Sequence, residues 1–248
     1  MVENRNLLPE TKSRSITAFE HGWYAHQYSV SLSRKIQLPL FDTILKEFNN
    51  RIVDKSELVG RKGAVAGQYR TNTVFIPDAI YSFIPPLPQE LPNLMRSFTA
   101  KVDQRIRTTN PKKVTEIEIG RVLDHMAFVH YWTTRIHPFR EGNGRTAREV
   151  TGFLCKRFNL PSIFVGPIDK KEYVEALNCV DITAQVSKLN ADLDPFVLFL
   201  AEKMLRSFPK NLSEHEQIRK DKLIGHIYRL KFQLRYKQSS GSSSKFEL

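Results

Sequence analysis

Twelve consecutive residues, from His137 to Arg148 (HPFREGNGRTAR), concentrate the side chains that could do chemistry in this 248-residue sequence. A histidine can accept a proton near neutral pH, and His137 stands directly before a proline that restricts the backbone. The glycines on both sides of Asn143 allow positive φ angles and let backbone N–H groups point at an anion. Arg145 lies three residues before Arg148, so the two share a helix face near an N-terminus, where phosphate binds. Glu141 adds a carboxylate that could hold Mg²⁺ beside a polyphosphate. Together these residues predict phosphate transfer to a protonated nucleophile.

Each of these features has a structural interpretation when it is taken alone. A histidine at a helix end is usually hydrogen-bonded in place, a Gly-Asn-Gly segment is a common turn, and helical arginines are usually solvated. The functional interpretation depends on finding a base, a metal-binding carboxylate, a glycine cradle and two arginines in one short loop.

The same twelve residues resemble the signature of the Fic-domain (Fido) family at every fixed position: His-Pro-Phe, any residue, Asp or Glu, Gly-Asn-Gly-Arg, two residues, Arg. Residues 67–76 (GQYRTNTVFI) resemble the family's flap, and the resemblance covers about residues 40–205. It implies an all-α fold, a Fic-type helical bundle with a short β-hairpin flap. It also implies an adenylyltransferase that moves AMP from ATP to a Ser, Thr or Tyr hydroxyl of a target protein and releases pyrophosphate.

The resemblance also implies a role for each matching residue. His137 would take the proton from the target hydroxyl, and Glu141 would hold a Mg²⁺ cofactor. The residues expected to bind ATP and its phosphates are Gly142, Asn143, Gly144, Arg145, Arg148 and Tyr173. The flap residues expected to align the target's backbone by β-augmentation are Val74, Phe75 and Ile76.

Two alternatives stay open from the sequence. The same loop could transfer UMP, phosphocholine or phosphate, or remove AMP, because these reactions share the scaffold. An alternative of another class is a nucleic-acid- or membrane-binding interaction protein whose nucleotide loop is regulatory, although pure binding would not require His137.

Apolar periodicity predicts the helices that must position this loop. Residues 119–136 are apolar on almost every face, which is typical of a central buried helix, and apolar residues recur at helical spacing over 147–158. Further helices are predicted at 40–53, 91–107, 170–180, 194–207 and 216–236. The predicted organisation is an N-terminal helical and regulatory segment (1–39), a catalytic domain (40–207), a basic C-terminal helix (208–237) and a disordered Ser/Gly tail (238–248).

The chain is basic, with a formal net charge of +12, which raises nucleic acid, anionic membranes and phosphorylated substrates as partners. Residues 206–248 hold ten Lys or Arg against four Asp or Glu, so half of the excess lies in this segment. We favour a solvated basic helix that packs one apolar face on the core, and we disfavour nucleic acid as a partner. No apolar stretch reaches the 18 or so residues of a membrane span, so we expect a cytoplasmic protein, with delivery into another cell left open.

The sequence offers one candidate for an internal inhibitory residue. Many Fic proteins carry an inhibitory helix with Ser or Thr, three residues, Glu, then Gly or Asn, and this pattern is not matched here. The nearest candidates are Ser15 to Gly22 (SITAFEHG) and Thr43 to Glu47, which is followed by Phe48. Phe19 to Gly22 (FEHG) within the first makes Glu20 a candidate inhibitory partner of Arg148. A separate small inhibitory protein is the other partner that the family suggests.

Overall fold

The computed structural model describes residues 9–35, 37–60, 64–76, 79, 83–109 and 116–242, with side chains from Glu20 onward in the first helix. Within these ranges the chain is helical and contains no β-strand, which confirms the predicted all-α class. The helices are α1 (Pro9–Ser33), α2 (Phe41–Ile52), α3 (Leu91–Thr108), α4 (Glu116–Ile136), α5 (Asn143–Arg157), α6 (Lys170–Asp181), α7 (Asp194–Arg206) and α8 (Glu214–Ser242).

Helix α4 is the centre of the core, as its nearly continuous apolar pattern predicts. It packs against α3, α5, α7 and α8. Tyr131 and Trp132 are fully buried near its C-terminal end, and the two rings contact each other edge to face. This packing gives the loop that follows α4 a rigid base.

Helices α1 and α2 flank the loop from the other side. Both pack against α5, and they also pack against each other. Phe41, Ile44, Leu45, Phe48 and Ile52 form the buried face of α2, and this face agrees with the predicted spacing. The loop between α4 and α5 therefore lies between α4 and a second layer of helices.

The predicted β-hairpin flap is not formed by the described residues of its segment. Residues 64–76 run as turns and extended chain, and the only pairing of β type there is an isolated antiparallel bridge between Tyr69 and Phe139. The physical reason is that Arg70 donates its backbone N–H to the Pro138 carbonyl, at 2.8 Å, rather than to a second strand of the flap. The segment is attached to the loop after α4 instead of pairing with itself.

Helix α8 packs on α4 and α7 with Leu223, Ile227 and Leu230 buried, while Tyr228 and Phe232 are exposed. This agrees with the favoured interpretation of the basic segment. The helix continues to Ser242, beyond the predicted end of the basic helix at residue 237. Extending an existing helix is far cheaper than starting one, since each added residue gains a backbone hydrogen bond. No helix in the described ranges is long and apolar enough to cross a membrane.

Candidate active site

The loop between α4 and α5 is shaped by two residues in the left-handed region. His137 has φ +52° and Gly142 has φ +77°. The positive φ of His137, followed by proline, ends α4, and Gly142 is the N-cap of α5. A Cβ atom at Gly142 would lie 2.6 Å from Val53 Cγ2, so this position also requires glycine for lack of space.

Asn143 closes the loop on itself. Its side-chain amide donates to the Phe139 carbonyl and accepts from the Phe139 N–H, both at 2.9 Å, and both residues are buried. The Asn143 side chain is thus used to hold the loop. The backbone N–H groups of the first turn of α5 have no acceptor within the helix, which leaves them available to an anion.

A cavity of about 800 Å³ lies over this loop. Its lining brings together most of the predicted site residues with parts of the flap segment: Thr73, Val74, Phe75, His137, Arg140, Glu141, Gly142, Asn143, Gly144, Arg145 and Arg148. Phe75 is 73% exposed at its edge, whereas Ile76 is buried and does not line the cavity. The volume is within the range of small-molecule sites.

His137 is held as a neutral base. Its Nδ1 lies 3.1 Å from the Thr134 carbonyl, and because a carbonyl only accepts, Nδ1 carries the proton and Nε2 keeps a lone pair. Burial lowers the pKa of His137 to about 4, and the charges of Arg70 and Arg135 act in the same direction. This pKa lies below the near-neutral range expected from the sequence, so the ring stays unprotonated at physiological pH.

The two motif arginines have different surroundings. Arg145 donates to Glu57 through both terminal nitrogens, with Nη1 to Oε1 at 2.9 Å, and to the Ile52 carbonyl at 3.3 Å. Arg148 also lines the cavity, and it forms no ion pair with any residue in the described ranges. Of the two motif arginines only Arg145 forms an ion pair within the described ranges, and Arg140 lines the same cavity as a third arginine.

Glu141 is the only carboxylate among the described residues that line the cavity. No group of three or more His, Cys, Asp or Glu side chains that could hold a metal occurs within the described ranges. A single carboxylate suits Mg²⁺, which is commonly bound by one or two carboxylates together with substrate phosphates and water. Glu141 therefore fits a Mg²⁺ ion that arrives with a polyphosphate.

Asn49 on α2 is a residue of the site that the sequence did not reveal. Its Nδ2 donates to the Glu141 carbonyl at 2.8 Å and to Thr146 Oγ1 at 3.2 Å, and its Oδ1 accepts from the Gly67 N–H at 2.9 Å. It is 1% exposed. One amide thus connects α2, the catalytic loop and the flap segment. The available signal was a polar residue on the apolar face of a predicted helix.

Arg70 makes a second connection between the flap segment and the loop. It is 4% exposed, and it donates from Nε to the His137 carbonyl at 2.8 Å, from Nη1 to Asn72 at 2.8 Å and from Nη2 to Pro86 at 2.6 Å. All of these acceptors are backbone carbonyls. The sequence placed Arg70 in the flap but gave it no role.

The structure does not bring Tyr173 to the cavity. Its hydroxyl lies 2.9 Å from His130 Nε2, and its ring packs against Phe196 and Phe199. His130 Nδ1 lies 2.9 Å from the hydroxyl of Thr151, so Tyr173, His130 and Thr151 form a hydrogen-bonded chain that runs into the core. The described contacts of Tyr173 are those of a core residue.

Glu20, the candidate inhibitory residue, is exposed on α1. No ion pair joins it to Arg148 in the part of the chain that the structure describes. Helix α1 nevertheless packs along α5, which carries Arg148.

Comparison with known proteins supports the expected family. Residues 40–155 match the family model described as Fic/DOC family, and the relatives and solved structures below likewise support a Fic-domain protein. Curated relatives named "Protein adenylyltransferase Fic" include one from Nematostella vectensis, 28% identical over 64% of this chain and 36% of the relative, and one from Drosophila melanogaster, 26% identical over 70% and 30%. The chain thus spans about a third of the length of these relatives.

Solved structures support the same fold. A Fic-domain-containing signaling protein from Bacteroides thetaiotaomicron aligns with a TM-score of 0.61 at 23% identity, over 84% of this chain and 72% of that one. Fic-1 from C. elegans aligns with a TM-score of 0.54 at 18% identity, over 94% and 56%. At these levels of sequence identity, the similarity shows a shared fold.

Proposed function

We propose that the protein is an adenylyltransferase that transfers AMP from ATP to a Ser, Thr or Tyr hydroxyl of a target protein. The observation that carries the proposal is the state of His137, which lines the cavity and whose Nδ1 is held by the Thr134 carbonyl, so that Nε2 keeps a lone pair that can accept a proton. A base of this kind serves a reaction in which a hydroxyl must lose its proton. The names of the relatives support AMP as the transferred group.

The proposed reaction balances as follows. The target hydroxyl gives its proton to Nε2 of His137 while its oxygen attacks the α-phosphorus of ATP. The bond between the α-phosphorus and the oxygen bridging to the β-phosphate breaks, and pyrophosphate leaves with that oxygen. His137 then loses its proton to solvent and is ready for another turnover.

Charge stabilisation comes from groups that are fixed before the reaction begins. The free N–H groups at the start of α5 and the guanidinium of Arg148 would bind the phosphates, where preorganised donors contribute most to this chemistry. Mg²⁺, when bound at Glu141 with the phosphates, would offset part of their negative charge. Val74 and Phe75 line the cavity beside His137 and would contact the target segment.

The test is incubation of the purified protein and a cell lysate with Mg²⁺ and ATP labelled on the α-phosphate. We expect labelled protein bands with the wild type and none with His137→Ala. His215→Ala, a change of an exposed histidine on α8, is the matched control and should label as the wild type does. Label from a γ-labelled or non-adenine donor instead would replace AMP transfer by phosphate, UMP or phosphocholine transfer. Equal labelling by His137→Ala would refute the assigned base.

A further inference from the structure

Glu57 is held in a fixed position beside the catalytic loop. It lies in the 3-10 helix Lys55–Leu58, which follows α2 and begins with a capping box. In this box the Asp54 N–H donates to Glu57 Oε1 at 3.1 Å, while the Asp54 carboxylate accepts from the Ser56 N–H at 2.9 Å. Partial burial raises the pKa of Glu57, but the hydrogen bonds from Arg145 and Asp54 dominate and lower it, so the carboxylate is ionised.

Arg145 is directed at this carboxylate. Its side chain extends from the first turn of α5 to the C-terminal end of α2. Its Nη2 lies 3.9 Å from the place that a Cβ on Gly142 would occupy. There, Nη1 donates to both Glu57 and the Ile52 carbonyl, and Nη2 donates to the second oxygen of Glu57. Both protons of Nη1 and one of Nη2 are therefore used by these acceptors.

The side chains of this pair are about one-third exposed, 36% for Arg145 and 32% for Glu57. A bidentate arginine–carboxylate pair fixes orientation as well as charge, because two parallel bonds define the plane of the guanidinium. The pair therefore connects the N-terminal turn of α5, which follows Gly142, to the end of α2.

We propose that Glu57 is a positioning residue that acts through Arg145, and that the two residues clamp the Gly142–Gly144 cradle against α2. Arg145 then serves the site by holding the cradle, and the positive charge for phosphate is supplied by the other arginines that line the cavity, Arg140 and Arg148. This assignment differs from the sequence-based expectation that both arginines neutralise phosphates. It rests on the proposed function only in taking the cradle as the phosphate site.

The experiment compares four full-length proteins: the wild type, Glu57→Gln, Arg145→Gln and the double variant. Amide hydrogen exchange over residues 141–146 should become about tenfold faster in each single variant, which corresponds to about 1.4 kcal/mol. The double variant should exchange no faster than the singles, because either change breaks the same clamp. Glu47→Gln is the matched control: it breaks the Glu47–Arg51 pair of α2, which has similar exposure (34% and 37%), and should leave exchange at 141–146 unchanged.

A second measurement separates a clamp from direct phosphate binding by Arg145. Calorimetry with inorganic pyrophosphate should show about fivefold weaker binding for Glu57→Gln and for Arg145→Gln, again without addition in the double variant. If Arg145 itself bound phosphate, loss of the competing Glu57 carboxylate would tighten binding, and that result would overturn the proposal. An unchanged rate of amide hydrogen exchange over residues 141–146 in Glu57→Gln would also overturn the proposal.

Failure of the proposed function gives a different result. A wild type that binds no pyrophosphate would refute the phosphate site, while the exchange rates would still decide whether the clamp exists. Thermal unfolding checks that each variant is folded. If Glu57→Gln does not fold, Glu57→Asp shortens the reach by one methylene, keeps the charge and is expected to accelerate exchange in the same residues.

Discussion

Replacing Asn49 by alanine tests whether one buried amide holds the catalytic loop in place. The change removes three hydrogen bonds and strands two backbone groups, the Glu141 carbonyl and the Gly67 N–H. A buried backbone group without a partner costs about 1–3 kcal/mol, so we expect the free energy of unfolding to fall by about 3 kcal/mol. Transfer activity should fall as well, because the carbonyl that Asn49 holds belongs to Glu141.

The assay is urea unfolding of the full chain at pH 7, with the midpoint and the slope determined for each variant. Asn50→Ala is the matched control, because Asn50 is the next residue of α2, is exposed, and gains the same helix propensity on substitution. Its free energy of unfolding should stay within about 0.5 kcal/mol of that of the wild type. If the free energies of unfolding of the two variants differ by less than about 1 kcal/mol, the Glu141 carbonyl and the Gly67 N–H find other partners, and the reasoning is refuted.

Two further predictions concern acid stability and regulation. Burial lowers the pKa of His130 to about 3, so its contribution to stability is complete above pH 6.5 and is lost as the pH falls toward 3. By pH 5 the loss in the free energy of unfolding reaches about 2 kcal/mol. Urea unfolding at pH 7, 6 and 5 should therefore show a smaller loss on acidification in His130→Gln than in the wild type. An equal dependence of the free energy of unfolding on pH in the two proteins would contradict the assignment. For Glu20, we propose that Glu20→Gly raises automodification with labelled ATP by removing a carboxylate that competes for Arg148, and labelling equal to that of the wild type would discard Glu20 as the brake.

The sequence predicted the parts of the molecule that are encoded locally. The apolar spacing of α2 and α4 predicted helices whose observed ends agree within a few residues, and the twelve-residue motif predicted most of the cavity lining. Both depend on neighbours that are close in the chain. Periodicity and a continuous motif are sufficient for such features.

The residues that the sequence did not reveal act over long separations. Asn49 and Glu57 contact the loop from 92 and 88 residues away, and Arg70 from 67. Their side-chain types are ordinary for a helix, a turn and a flap, so nothing local distinguishes them. The structure does not place Tyr173, which was expected to bind ATP, at the cavity. A tyrosine beside a cavity and a tyrosine in a core have the same helical spacing, so the sequence could not distinguish them.

The attachment of the flap segment to the loop by Arg70 has a consequence for folding. The contacts that define the cavity join residues 67 to 92 positions apart, whereas helices form within a few residues. Contacts between distant residues require closing a large chain loop before they gain any energy, so they form late. A chain emerging from the ribosome would complete α2 and the flap segment well before the residues they hold exist. We therefore expect that a nascent or partly folded chain has no nucleotide site, and that catalytic competence arises only when folding of the domain is finished.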